Sequence, residues 1–124
     1  MTRGRTLVLL AVGMALAVPA AAHWLAPEEI VAALNAPAVR EAVGVTGASR
    51  DAHAPRLLVI RVGARWYDLG APLRRVQVRD WTELWRHNVP QGIVAVLDDH
   101  TARPVVRFDA TGAVAAVDDR PPGS

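Results

Sequence analysis

The chain has 124 residues, 52% of them hydrophobic, with no Cys, two Met, 14 basic residues that are all Arg, 12 acidic residues and a formal charge of +2. That length holds one small domain. Without Cys there is no disulfide, thiolate metal ligand or cysteine nucleophile, and without Lys there is no Schiff-base chemistry.

The first segment reads as an export signal. Arg3 and Arg5 precede an apolar run from Leu7 to Val18, and Pro19-Ala20-Ala21-Ala22 supplies a helix breaker and an A-x-A site. The run is well short of the roughly 20 residues that span a bilayer as a helix. Cleavage is therefore expected after Ala22, giving a periplasmic or secreted protein with no stable transmembrane anchor. Removing residues 1–22 takes away Arg3, Arg5 and both methionines but no acid, leaving 12 Arg against 12 acidic residues. A chain so balanced is not expected to hold nucleic acid by general charge attraction.

Pro27 followed by Glu28 and Glu29 suits a helix N-terminus, and Ile30, Val31 and Leu34 continue at helical spacing. A helix is expected over about 27–35. Pro37 interrupts it and starts a second short helix through Val43. Gly44 to Pro55 shows no apolar period and reads as a loop. Leu57-Leu58-Val59-Ile60-Arg61-Val62 is a strand by its β-branched content, and its near-continuous apolarity suggests that both faces are covered. Gly63 marks either a turn into a second short strand, Arg65 to Leu69, or a bulge.

The clearest periodicity lies in Pro72 to Asn88. At 100° per residue Leu73, Val78, Trp81, Leu84, Trp85 and Val89 fall within an arc of about 160°, with Arg75, Arg79, Thr82, Glu83 and Arg86 on the other side. One face must be buried. Three short segments follow, Ile93 to Leu97, Pro104 to Phe108 and Ala113 to Val117, separated by turn-rich Asp98 to Thr101 and Asp109 to Gly112. The simplest arrangement is an antiparallel meander. The fold class is thus a small α+β domain: short N-terminal helices, then one amphipathic helix on a mostly antiparallel sheet of 3–5 strands. Along the chain the division is a signal peptide (1–22), a helical segment (23–46), a loop (47–56), the α+β core (57–117) and a flexible tail (118–124).

Few residues carry recognisable chemistry. There is no G-x-S-x-G, H-E-x-x-H, P-loop or G-x-G-x-x-G motif, so no catalytic residue is assigned. Cleavage after Ala22 would free the α-amine of His23, which with its own imidazole chelates one metal ion. A second imidazole from His53, His87 or His100 would complete a three-nitrogen plane suited to Cu(II). This resembles the N-terminal histidine site of copper-binding periplasmic and secreted families, which implies His23 as a metal ligand with copper as the cofactor; of the three candidate second imidazoles, His100 is taken as the other ligand. Asp98-Asp99-His100 is the remaining dense polar cluster, the basis for a weaker alternative of a small envelope hydrolase or transferase. Phe108 to Val114 resembles the last hairpin of several unrelated α+β families, including PepSY-type and thioredoxin-like domains, and carries no functional residue with it.

Aromatic and cationic side chains offer binding surfaces instead. Trp24, Trp66 and Tyr67 are candidate partner contacts through their ring faces, and Arg79 and Arg86 through the polar side of the long helix, where they would meet an acidic partner. The leading expectation is an exported non-enzymatic domain that binds a protein or another envelope component, without a cofactor.

Overall fold

Proline and glycine punctuate the helices. The computed structural model describes residues 25–123; the expected export segment, His23 and Trp24 lie outside the described residues. Helix α1 (Pro27–Leu34) begins with proline in its first turn, and Glu29 Oε1 accepts the Ala26 N–H at 3.2 Å. Such a reach back satisfies one of the N–H groups that a helix start leaves without a partner. Ile30 and Leu34, one turn apart, are both buried. Helix α2 (Pro37–Val43) ends at Gly44, whose φ of 83° is left-handed. A Cβ there would stand 2.3 Å from the backbone nitrogen of Trp66, so only glycine fits the approach.

Strands β1 (Val45–Arg50), β2 (Leu57–Val62) and β3 (Ile93–Asp98) form one sheet in the order β1-β2-β3. β1 runs antiparallel to β2, whereas β2 and β3 are parallel, with Leu58 beside Val94, Ile60 beside Val96 and Val62 beside Asp98. Between them lie α3 (Ala64–Asp68) and α4 (Ala71–Asn88), which return the chain to the starting end of the sheet. Strands β4 (Val106–Phe108) and β5 (Val114–Val117) make an antiparallel hairpin, joined to β3 by a bridge between Leu97 and Pro104 and by Val105 N–H donating to the Val96 carbonyl at 2.9 Å. The chain is a small mixed α+β domain with 3 plus 2 strands and mostly antiparallel pairing.

The core sits on one face of the three-stranded sheet. Leu58, Ile60, Val62, Val94 and Val96 are buried and occupy matched positions of the pleat, and Val78, Trp81 and Trp85 of α4 join them in one apolar cluster. Trp66 stacks on Trp81 with ring centroids 5.4 Å apart and an interplanar angle of 24°. Three fully buried indoles supply much of the apolar area that holds a domain of this size together.

Several expectations are corrected. Residues 45–50 are an edge strand, not part of a loop: their side chains are small and mostly uncharged, and the pairing with β2 is made by backbone groups that leave no apolar period. Residues 64–68 are a helical turn rather than a strand, because Trp66 and Leu69, three apart, must both face the core. β2 is covered on one face only, since Leu57 and Val59 are half-buried and Arg61 is exposed. The last three segments do follow one another in antiparallel sense, but not as one continuous sheet: β3 meets the stretch before β4 only through the Leu97–Pro104 bridge, β4 and β5 pair as a hairpin, and the ladder of β3 is made with β2, in parallel. Residues 118–120 are held in place, with Asp118 N–H on the Val105 carbonyl at 2.8 Å, the Arg74 guanidinium on the Asp118 carbonyl at 2.8 Å and Arg120 5.7 Å above the Tyr67 ring. Among the described residues no helix is long and apolar enough to cross a membrane.

Candidate functional site

Two polar regions stand out against the apolar core. The first lies at the carboxyl ends of the parallel strands, where ligands often bind in open α/β sheets. Asp98, the last residue of β3, is 2% exposed. Its Oδ1 accepts the Tyr67 hydroxyl at 2.7 Å, and its Oδ2 accepts the backbone N–H groups of His100 and Thr101 at 3.1 and 2.8 Å and the Thr101 hydroxyl at 2.9 Å. Burial pushes the Asp98 carboxyl up, but Tyr67 and the Thr101 and His100 donors outweigh it and hold it below the ordinary carboxylate value. The Tyr67 phenol is raised by its own burial and by the adjacent carboxylate. Four donors saturate Asp98, so this carboxylate ties the β3 exit turn to α3.

Asp99 and His100 are exposed while Asp98 points inward, so the three consecutive side chains do not converge. Among the described residues no three His, Cys, Asp or Glu side chains are grouped as a metal site. His23 and Trp24 lie outside the described residues. Trp66, expected as a partner contact, is instead fully buried against Trp81, where its ring face is already used. Tyr67 is half-buried, its hydroxyl on Asp98 and its ring beneath Arg120.

The second region is a groove of about 650 Å³ between α4 and the β4–β5 hairpin. One wall is the outward side of α4, carrying Arg75, Arg79, Glu83, Arg86 and His87; the other is Thr111 to Val114. The sequence expectation that Arg79 and Arg86 share a polar helix face is met by their exposed places on this wall. Thr82, expected there as well, turns inward and donates its hydroxyl to the Val78 carbonyl at 2.7 Å.

Two guanidiniums fasten the ends of the groove. Arg75 Nη1 and Nη2 donate to the Val114 and Ala115 carbonyls at 3.1 and 3.4 Å, and Arg86 Nη1 reaches the Thr111 carbonyl at 3.4 Å. The facing turn is rigid. Asp109 Oδ1 accepts the Thr111 and Ala113 N–H groups at 2.8 and 3.1 Å together with the Thr111 hydroxyl, and the Thr111 contacts foremost hold its carboxyl below the ordinary value. Gly112, with φ 84°, lets Arg86 lie close: a Cβ there would stand 2.7 Å from Nη1. Arg79 sits between the two ends, near Asp80, whose carboxyl is pushed up by burial and by Glu83 and pulled down by Arg79. The groove thus presents three guanidiniums, held by the helix and the hairpin, beside the single carboxylate of Glu83.

Compared with known protein families, curated proteins and solved structures, the chain has no match. The groove's joint dependence on α4 and on a turn about 25 residues further along explains why sequence spacing reveals the Arg stripe but not its opposite wall.

Proposed function

We propose that this chain is a small exported binding module, without catalytic activity of its own, that docks an acidic segment of a protein partner in the groove between α4 and the β4–β5 hairpin. The observation that carries the reading is the groove itself, about 650 Å³ and walled by Arg75, Arg79 and Arg86. A concavity of that size with a few convergent polar groups suits ligand capture. Exposed ion pairs contribute only about 0.2–1 kcal/mol each. Affinity therefore requires several pairs at once, which a row of guanidiniums permits. Saturation of Asp98 by Tyr67, Thr101 and His100 argues against a free general base at the strand ends.

Export follows from the residues preceding His23, and a periplasmic or secreted location is part of the proposal. Intact mass of the protein recovered after export tests it, with a chain beginning at His23 as the expected result. The docking reading is tested by retention from cell-envelope extract. Wild-type protein should hold a partner that the doubly reversed Arg79→Glu/Arg86→Glu variant, folded by circular dichroism, does not. Equal retention by both would remove the groove from the interaction.

A further inference from the structure

The face of the three-stranded sheet that turns away from the core is also apolar. Side chains alternate along β2 and β3, so Leu57, Val59, Ile93, Ala95 and Leu97 share that face, and none of them belongs to the core cluster. The parallel register sets Leu57 beside Ile93, Val59 beside Ala95 and Arg61 beside Leu97. Ile93 is 50% exposed and the other four apolar side chains are half-buried. A parallel strand pair is ordinarily covered on both faces, whereas here the core covers one. Two charges of opposite sign stand at one end of the open face. Arg61 is exposed on β2, and the exposed Asp99 continues the same side of β3, its N–H on the Val62 carbonyl at 2.8 Å. The ion pairs among the described residues use neither side chain.

We infer that this face is where two copies of the chain meet, sheet on sheet, in a symmetric dimer. Such a contact needs a patch that is its own complement. A two-fold axis along the strands, between β2 and β3, lays β2 of each copy over β3 of the other. Leu57 then meets Ile93 and Val59 meets Ala95. Arg61 meets Leu97, with Asp99 of the second copy one pleat repeat further along, about 7 Å away and within reach of a guanidinium. Each copy supplies one cation and one anion, so two reciprocal ion pairs close one end of the apolar patch, whereas a surface of a single sign would leave one of the two charges unmatched. Pairing through the outer edge of β1 is opposed, because Asn35 already holds the Ala48 carbonyl and N–H at 2.8 and 2.9 Å. The patch measures about 20 Å by about 14 Å, well under the roughly 800 Å² per partner of a standard interface, so the pairing is weak and concentration-dependent. The groove lies on the outward side of α4 and stays open in both copies, and the pairing is independent of what that groove holds.

The test is sedimentation velocity of the purified exported chain from about 1 to about 500 μM. Wild type should pass from monomer to dimer within that range. Ile93→Glu, at a half-exposed position and folded by circular dichroism, should move the midpoint at least about tenfold higher. Arg61→Glu and Asp99→Arg should each weaken the dimer by at least about fivefold, since by symmetry each substitution alters two ion pairs. The exchanged pair Arg61→Glu/Asp99→Arg should return to within about threefold of wild type, which a merely structural role for either residue would not produce. Arg79→Glu, on the outward side of α4, should leave the midpoint unchanged. A wild-type monomer up to the highest concentration, a dimer indifferent to Ile93→Glu, or a charge exchange that brings no recovery would each overturn the inference. A wild-type monomer that holds a protein from envelope extract, and loses it in Ile93→Glu, would give the face to a different partner and overturn it as well.

Discussion

The side-chain amide of Asn35 holds both backbone polar groups of Ala48: Nδ2 donates to the carbonyl at 2.8 Å, and Oδ1 accepts the N–H at 2.9 Å. Asn35 follows α1 directly, and its Nδ2 also donates to the Val31 carbonyl at 2.9 Å. Together with Arg40 Nη2 on the Thr46 carbonyl at 3.1 Å, it takes the place of a neighbouring strand along the outer side of β1. An edge strand with such groups left open is a template for pairing with another chain.

Replacing Asn35 by Ala removes both contacts to Ala48. At an exposed site, where water takes over part of the bonding, the expected loss is about 1–2 kcal/mol. Asn35→Asp is no rescue, since it sets a charged acceptor against the Val31 and Ala48 carbonyls. Urea unfolding followed by tryptophan fluorescence should rank wild type above both variants.

Asp98 makes stability depend on pH. Its folded carboxyl lies below its ordinary value of 3.8, so the folded state gains stability from its charge above that value and loses it as pH falls through and below it. Asp109, shifted the same way, adds to the loss in wild type. Asp98→Asn should therefore be less stable than wild type at pH 7, and the gap should narrow between pH 5 and pH 3. Paired urea titrations at the three pH values check the sign. A gap that widens on acidification would mean that the folded carboxyl titrates above its ordinary value rather than below it.

Tyr67→Phe removes one of four donors to that carboxylate and should cost about 1–2 kcal/mol, because a hydrogen bond to a charged group is worth more than a neutral one. The loss should be largest at neutral pH and shrink below the Asp98 titration, measured by the same unfolding curves.

Gly44→Ala combines a left-handed φ with a Cβ 2.3 Å from the Trp66 nitrogen, and a backbone atom cannot swing aside. The penalty should reach about 3 kcal/mol or more. By contrast, Gly47→Ala, with open space around the added Cβ, should change stability by less than about 0.5 kcal/mol.

Trp66→Ala empties a site that is fully buried against Trp81 and should cost about 3–5 kcal/mol. Any effect on partner binding should follow unfolding and vanish in Trp66→Phe under conditions where that variant is folded. A binding defect in folded Trp66→Phe would mean that the indole meets the partner after all.

Short-range spacing in the sequence determined the helices around Ile30, Val39 and Val78, the apolar strands at Leu57–Val62 and Ile93–Asp98, and the hairpin turn at Asp109–Gly112, because capping, periodicity and turn chemistry act within a few residues. The Arg stripe of α4 was legible in the same way, as one side of a helix whose other side carries Trp81 and Trp85. Tertiary structure alone decided the rest. β1 exists because β2 and Asn35 satisfy its backbone from either side, and its side chains leave no periodic trace of that. The direction of β3 depends on where α3 and α4 deliver the chain, and Trp66 is interior because Trp81, fifteen positions later, packs on it. The groove belongs to the same category: the guanidiniums of Arg75 and Arg86 acquire an opposite wall only when the hairpin folds back onto α4 and offers them the carbonyls of Val114, Ala115 and Thr111.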